Sequence, residues 1–434
     1  MRALYTLIWY LALPLLPLRL WWRGRKEPGY RERIGERFGT YRDEVRHPVL
    51  WVHAVSLGET RAAASLVERV RRAHPDATVL LTHMTATGRA AGHALFGDGV
   101  VQAWLPYDVP FAVRAFLRHF RPRAGMIVET ELWPNLVALA TEAGVPLYLV
   151  NGRLSERSAR GYARIRALAR PMLAAFAGIA AQSAADAARF SALGAAPPVV
   201  TGNLKFDLEV PAEALALGRE LRLRLGEQRP VWIAGSTRDG EEVLILDALR
   251  RTALPAATLT VIVPRHPQRF DAVAHLLRQR GIPFVRRSDN AAVPADVAVM
   301  LGDSMGEMLG YYAAADVVFV GGSLVPLGGQ NLIEPIALAR PTLVGPHTFN
   351  FAEATANALA AGAARRVDDA DALVAEVGAL LADRARRGAM GQAALAFHAT
   401  HRGAGQRLWH WLAPRIDAAV RPAAAGSVSR RGGG

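Results

Sequence analysis

From residue 48 onward the chain repeats one pattern: a short apolar run, a glycine or polar turn, then a helical stretch. VLWVHAV, TVLLTHM, VQAWLPYDVP, AGMIVETELWPN, VPLYLVN, AGIAAQS and PPVVTGN carry it through the first half. PVWIAGST, TLTVIVPRH, DVAVMLGD, ADVVFVGGS and PTLVGP carry it through the second. A strand–helix alternation of this kind folds as a parallel, doubly wound sheet, because each crossover helix must pack back on a sheet face. The pattern loosens around residues 208–228, which marks a junction. The expected architecture is α/β, with two facing Rossmann-like domains over 26–215 and 216–415 and a central cleft between them. In such sheets ligands collect at the carboxyl ends of the strands. A last helix near Arg407–Ile416 is expected to cross back, and 416–434 reads as a disordered tail.

Ahead of the first strand, ALYTLIWYLALPLLPLRLWW (3–22) is almost wholly apolar. It is long enough to span a bilayer, although Pro14, Pro17 and Arg19 interrupt a straight span. Paired tryptophans followed by Arg23, Arg25 and Lys26 replace the small-residue cleavage site of a secretory signal. Residues 1–25 are therefore expected to form an uncleaved membrane-anchor helix, with the following domain on the cytoplasmic side. Its alternative is a buried N-terminal helix. The mixed-charge YRERIGERF (30–38) suits phospholipid headgroups.

With 434 residues, 51% hydrophobic and 21% charged, the chain can fill two cores. It has no cysteine, which excludes disulfides and thiolate metal sites. A net charge of +14 favours a polyanionic partner: nucleic acid, an anionic membrane or a phosphorylated substrate. No zinc-finger spacing, aromatic–basic RNA motif or repeat is present, so nucleic acid is not expected.

Six strand ends carry residues able to do chemistry. ADVVFVGGSLVPLGGQNLIEP, from Ala315, puts Gly321, Gly322 and Ser323 after a strand, then Gly328 and Gly329 before Asn331. Glycines permit a close backbone approach, and a helix beginning at Asn331 and running through Leu332, Ile333, Glu334, Ile336 and Leu338 would offer amides to a phosphate. Glu334 could meet a ribose, or merely bond the Asn331 amide as a capping box. In VSLGET, Ser56, Gly58 and Glu59 allow a general base one turn into a helix, but Ser56 and Glu59 also have capping-box spacing. In VETELWPN, Glu129 and Glu131 share one face if the strand persists, a pairing that calls for a ligand hydroxyl or cation unless it is solvated. Lys205 in GNLKFD can stabilise developing negative charge. Arg265 and His266 in VPRHP can meet a phosphate, and in GDSMGEM the turn Met305, Gly306, Glu307 offers close contact with a base or ribose. His53 and His83 are rival bases, but both sit in or beside apolar strands and read as structural.

In this order, VHAVSLGET, VETELWPN, NGRLS, GNLKFD, PRH, GDSMGE and GGSLVPLGGQNLIEP resemble the 3-deoxy-D-manno-octulosonic acid (Kdo) transferases of Gram-negative bacteria. The resemblance runs from the N-terminal segment to about residue 400. It implies a GT-B glycosyltransferase that moves Kdo from CMP-Kdo to lipid IVA with inversion, without metal or other cofactor, at the cytoplasmic face of the inner membrane. By that likeness Glu59 is the general base, with Glu129 and Lys205 assisting. CMP meets Arg265, His266, Met305–Glu307 and Asn331–Glu334. Residues 26–215 would then bind the acceptor and 216–415 the CMP-sugar. The rivals are a GT-B enzyme using another nucleotide sugar, an epimerase on the same fold, and a non-catalytic membrane scaffold.

Overall fold

The computed structural model describes residues 1–25 and 27–421. Lys26 and residues 422–434 of the expected tail lie outside the described residues. The chain forms two compact units, Met1–Asp207 with the segment that begins at Gly403, and Leu208–Arg402. The division falls after Asp207 rather than at 215/216, because the helix Ala212–Leu225 packs within the second unit. There Gly218 lies flat against Ala313, and Arg222 pairs with Asp316 at 3.1 Å.

In the first unit the strands are β1 (Val49–His53), β2 (Thr78–His83), β3 (Val101–Trp104), β4 (Pro122–Val128), β5 (Leu147–Gly152), β6 (Gly178–Ala181) and β7 (Val199–Val200). They pair in parallel in the order β3-β2-β1-β4-β5-β6-β7. The order reverses between β1 and β4, the point at which such sheets leave a crevice for ligand. Every residue of β1 is buried, which is why VLWVH is apolar without alternation. The last helix, Ala404–Val420, covers one face of this sheet. Its Leu408, Leu412 and Ile416 are buried beside Leu50, Val52 and Tyr148. Asp207 fixes its start by accepting from the amides of Gly403 at 2.6 Å and Ala404 at 3.1 Å, and also from Gly405. Residues 416–420, expected in the tail, are thus the end of a packed helix.

The second unit contains β8 (Val231–Thr237), β9 (Leu259–Pro264), β10 (Phe284–Arg286), β11 (Val299–Leu301), β12 (Val317–Val320), β13 (Thr342–Val344) and β14 (Ala364–Arg366). All pair in parallel, in the order β10-β11-β9-β8-β12-β13-β14, with reversal between β8 and β12. The two edge strands, β10 and β14, carry no sequence signal: each is three residues long and ends in arginine.

The N-terminal apolar stretch departs from the single anchor helix expected. It forms α1 (Arg2–Ala12) and α2 (Leu15–Arg23), bent by 61°. Pro14 has no amide to extend the first helix, so the ladder breaks there. No single helix among the described residues is long and apolar enough to cross a membrane, although the bent pair has the length and composition together.

Candidate active site

Strand β1 delivers the chain to Ser56, which caps α3 (Leu57–Ala73). Ser56 Oγ accepts from the Glu59 amide at 3.5 Å and donates to Glu59 Oε1 at 3.1 Å. Glu59 Oε2 accepts from the Val55 amide at 2.7 Å. The cap and the candidate base are therefore one structure: the bonds that begin the helix also aim the carboxylate. Burial first, and then the charges of Glu129 and Glu131, push Glu59 up to about 7 against those two hydrogen bonds. Gly58 beside it is exposed.

Strand β4, the neighbour of β1, ends at Val128, so Glu129 and Glu131 do not continue an extended alternation. Glu129 instead adopts φ +60°, and its amide donates to Val150 O at 3.0 Å. This left-handed turn is costly for a side-chain-bearing residue. It brings Glu129 Oε1 to 2.7 Å from Lys205 Nζ. Glu131 is pushed up to about 7 by burial and by the Glu129 charge, against the Trp133 indole.

Lys205 lies just past β7 in the turn Leu204–Asp207. That turn is held from β5, where Asn151, at φ +53°, accepts from the Leu204 amide at 3.0 Å. Thr130 in turn donates to the Arg153 carbonyl, tying the Glu129 loop to the same NGRLS segment. One unit thus brings Glu59, Glu129, Glu131 and Lys205 together at the carboxyl ends of β1, β4 and β7. His53 and His83 are fully buried in β1 and β2 and pushed down to about 3 and about 4, chiefly by burial. Neither is available as a base.

The second unit places its candidates at strand ends as well, but with more internal pairing. Arg265 follows β9 and donates through Nε to Gln330 Oε1 at 3.2 Å, while His266 beside it is exposed. After β11, Met305 and Gly306 are exposed, and Gly306 has φ +83°. Glu307 is held by Arg287, both of its oxygens 3.1 Å from that guanidinium, and by the Ser304 hydroxyl at 2.6 Å. Asn331 donates to Glu334 Oε1 at 3.1 Å and accepts from the Ile333 amide at 3.1 Å. The helix Ile333–Ala337 starts two residues later than expected, and Leu332 and Ile333 are buried, which leaves Asn331 and Glu334 as the side chains partly open to solvent.

The glycine turn after β12 differs most from expectation. A close approach of ligand to its backbone is expected from the sequence, but the amides from Gly322 to Leu324 are taken within the unit. Glu241 accepts from Gly322 at 2.6 Å, Ser323 at 3.0 Å and Leu324 at 2.9 Å, and from Arg238 at 2.8 Å. Ser323 is fully buried, donating to Val320 O and accepting from the Gly345 amide. Gly322 and Ser323 hold this turn through those bonds. Gln330, Arg287, Glu241, Asn151 and Asp207 are site or support residues that motif reasoning passed over. Their partners are distant in sequence, so spacing carried no signal for them. Among the described residues, no group of three or more His, Asp or Glu is arranged to hold a metal ion.

Two parallel Rossmann-like sheets, each with candidate residues at its strand ends, define an α/β protein of the GT-B type. The same fold is seen in Anabaena HepE in complex with UDP (14% identity, TM-score 0.58, covering 85% of this chain and 99% of that one). It is also seen in a UDP-GlcNAc 2-epimerase from Neisseria meningitidis (14%, TM-score 0.56, 85% and 99%). Residues 32–208 match the family model for 3-deoxy-D-manno-octulosonic-acid transferase (kdotransferase). The chain is 45% identical to the 3-deoxy-D-manno-octulosonic acid transferase of Bordetella pertussis, covering 95% of this chain and 99% of that protein. It is 38% identical to that of Haemophilus influenzae, covering 96% and 99%. The chain belongs to the Kdo transferase family and is a glycosyltransferase.

Proposed function

We propose that the chain moves Kdo from CMP-Kdo to a hydroxyl of lipid IVA, inverting the anomeric centre and using no metal ion. The observation that carries this reading is Glu59, a half-buried carboxylate held near neutrality beside a lysine–glutamate pair. A base is most effective when its pKa lies near the working pH. Glu59 takes the acceptor proton as the hydroxyl oxygen forms its bond to the anomeric carbon. The bond from that carbon to the CMP phosphate breaks, and CMP leaves with the electron pair. Lys205, fixed by Glu129, faces the negative charge that develops. Arg265 and His266 meet the phosphate of CMP, the Met305–Glu307 turn lies against the nucleoside, and Asn331 with Glu334 meets the ribose. The first unit binds the acceptor and the second the CMP-sugar, at the cytoplasmic surface of the inner membrane.

Its test is to incubate the full chain in detergent with CMP-Kdo, lipid IVA and EDTA, and to follow the acceptor by mass spectrometry. A stepwise gain of Kdo units is the expected result and also counts the transfers. No gain, with a UDP-sugar consumed by the same preparation, overturns the donor assignment.

A further inference from the structure

The bent N-terminal pair has two unlike faces. On α1, Leu4, Leu7, Ile8 and Leu11 are exposed at the spacing of a single helical stripe. Leu15, Leu18 and Trp22 continue the ridge on α2, with Leu11 71%, Leu18 65% and Trp22 62% exposed. The opposite face is docked onto the first unit. Leu16 and Leu20, only 6% and 3% exposed, pack with Tyr30, Tyr107 and Val109. On α1, Thr6 donates to Asn135 at 3.0 Å and the Trp9 ring lies 6.4 Å from Trp133. A span through a bilayer would strip this inner face from the protein and present Thr6 to hydrocarbon.

We propose that the pair lies in the plane of one leaflet, its outer ridge inserted among the lipids of an anionic bilayer and its inner face still docked. This deepens the membrane-surface reading above and rests on it. Three observations select a lipid surface as the occupant. The ridge ends in Trp21 and Trp22, side chains that favour the interface between headgroups and acyl chains. Cations border it: Arg19 is exposed, and the Arg25 and Arg31 guanidinia lie 4.4 and 5.6 Å from the Trp21 ring. The ridge also continues onto the body of the first unit, where exposed Phe111 stacks with Tyr10 at 6.4 Å. Amphipathic helices with apolar outer faces and flanking arginines bind in this way. Because Trp9 packs on Trp133 and Thr6 bonds Asn135, at the start of the helix Pro134–Glu142 just beyond Glu131, the seated helix places the acidic cluster close to the membrane surface.

The chain has no native cysteine, so single thiols report position directly. Full-length Ala3→Cys protein is bound to preformed phosphatidylethanolamine–phosphatidylglycerol vesicles and treated with an impermeant maleimide added outside. Full labelling is expected, and protection of the thiol inside the vesicle overturns the in-plane arrangement. Leu11→Asp/Leu18→Asp should lower the bound fraction by about tenfold or more while thermal unfolding is unchanged. Undiminished binding by that variant overturns the ridge as the contact. A stable dimer cross-linked through Leu11→Cys, with no vesicle binding, would assign the ridge to a second copy instead. Transfer in detergent is measured on the same variant. Retained transfer with lost vesicle binding supports the proposal, and failure of wild-type transfer with vesicle binding intact strikes only the catalytic reading.

Discussion

At the carboxyl ends of the first sheet, Glu59 and Glu131 are half-buried without a countercharge of their own and are pushed up to about 7. At the carboxyl ends of the second sheet, the acids have partners of their own, although burial still raises Glu241 and Glu242 above the ordinary carboxylate value. Arg287 grips Glu307, and Arg269 lies 2.7 Å from Glu242. Burial pushes Asp303 up, but the Ser288 hydroxyl and amide together with Arg286 outweigh it and hold the carboxyl below its ordinary value. Four backbone amides converge on Glu241. The same strand–helix architecture thus yields two electrostatic outcomes. One sheet keeps carboxylates that can exchange a proton near neutral pH, and the other spends its carboxylates on fixing loops. Under the proposed function, proton transfer belongs with the first, and rigid presentation of arginine to an anionic ligand with the second.

The largest expected effect is on Glu59. Replacing a general base typically costs about 10²–10⁴ in rate, so Glu59→Gln should lose transfer on that scale while binding of CMP to the second unit is unchanged. Its stability should move the other way. The folded pKa of about 7 lies above the ordinary carboxylate value of 4.5. The stability this group contributes is therefore present below about pH 4.5 and is lost as pH rises toward 7 and beyond. At pH 8 the glutamine variant should be more stable than wild type by about 1–3 kcal/mol, and at pH 4 no more stable, as read by denaturant unfolding. A variant that is inactive but not stabilised at pH 8 would show that Glu59 is not a strained acid.

Glu241→Gln is the opposing test. A neutral amide keeps one acceptor oxygen and turns a donor toward amides that already donate. Burial raises the Glu241 carboxyl too, but two of its four amides donate to each oxygen, so a glutamine nitrogen would face two donors in a fully buried site, at an expected cost of roughly 2–4 kcal/mol in the second unit. Gain for one acid-to-amide change and loss for the other would confirm the contrast. Equal signs would break it.

Much of this was legible in the residues, for identifiable reasons. Strands such as VLWVH and VVFV are buried throughout, and their β-branched runs announce it. Ser56-x-x-Glu59 could be read because a cap is local. What could not be read lies across sequence distance or against propensity. Lys205 meets Glu129 only because β7 and β4 end on the same edge of one sheet. Glu241, in STRDGEE, looks like a solvated helix start, yet strand order carries the Gly322–Leu324 amides onto it. Glu129 breaks the alternation by adopting a conformation its side chain disfavours, so the shared face expected for Glu129 and Glu131 does not form. The anchor appeared as one helix because hydropathy registers the apolar stretch and not the angle at Pro14.

Asp207 tests whether the Lys205 turn is independently rigid. It accepts three amides at the start of the last helix while sharing a four-residue turn with Lys205. Asp207→Ala should cost about 1–2 kcal/mol of stability, as for other lost caps. A several-fold drop in kcat with KM for CMP-Kdo unchanged is expected if the turn also positions the lysine. Unaltered kcat would confine Asp207 to the helix.

The smallest effect separates the two acids of the first sheet. With Glu59 as the proposed base, transfer requires its ionised form, so kcat/KM should rise with pH to a plateau above about 7. Glu131 is the lesser of the two charges that raise Glu59, after Glu129. Glu131→Gln removes that charge and leaves the Glu129–Lys205 pair in place. Glu59 then ionises more readily, and the rising limb should move to lower pH by a few tenths of a unit. Because Glu131 titrates over the same range, the wild-type limb belongs to the coupled acids rather than to Glu59 alone, and it should also steepen toward a single ionisation in the variant. A limb that shifts upward, or one that disappears in Glu131→Gln, would transfer the role of base from Glu59 to Glu131.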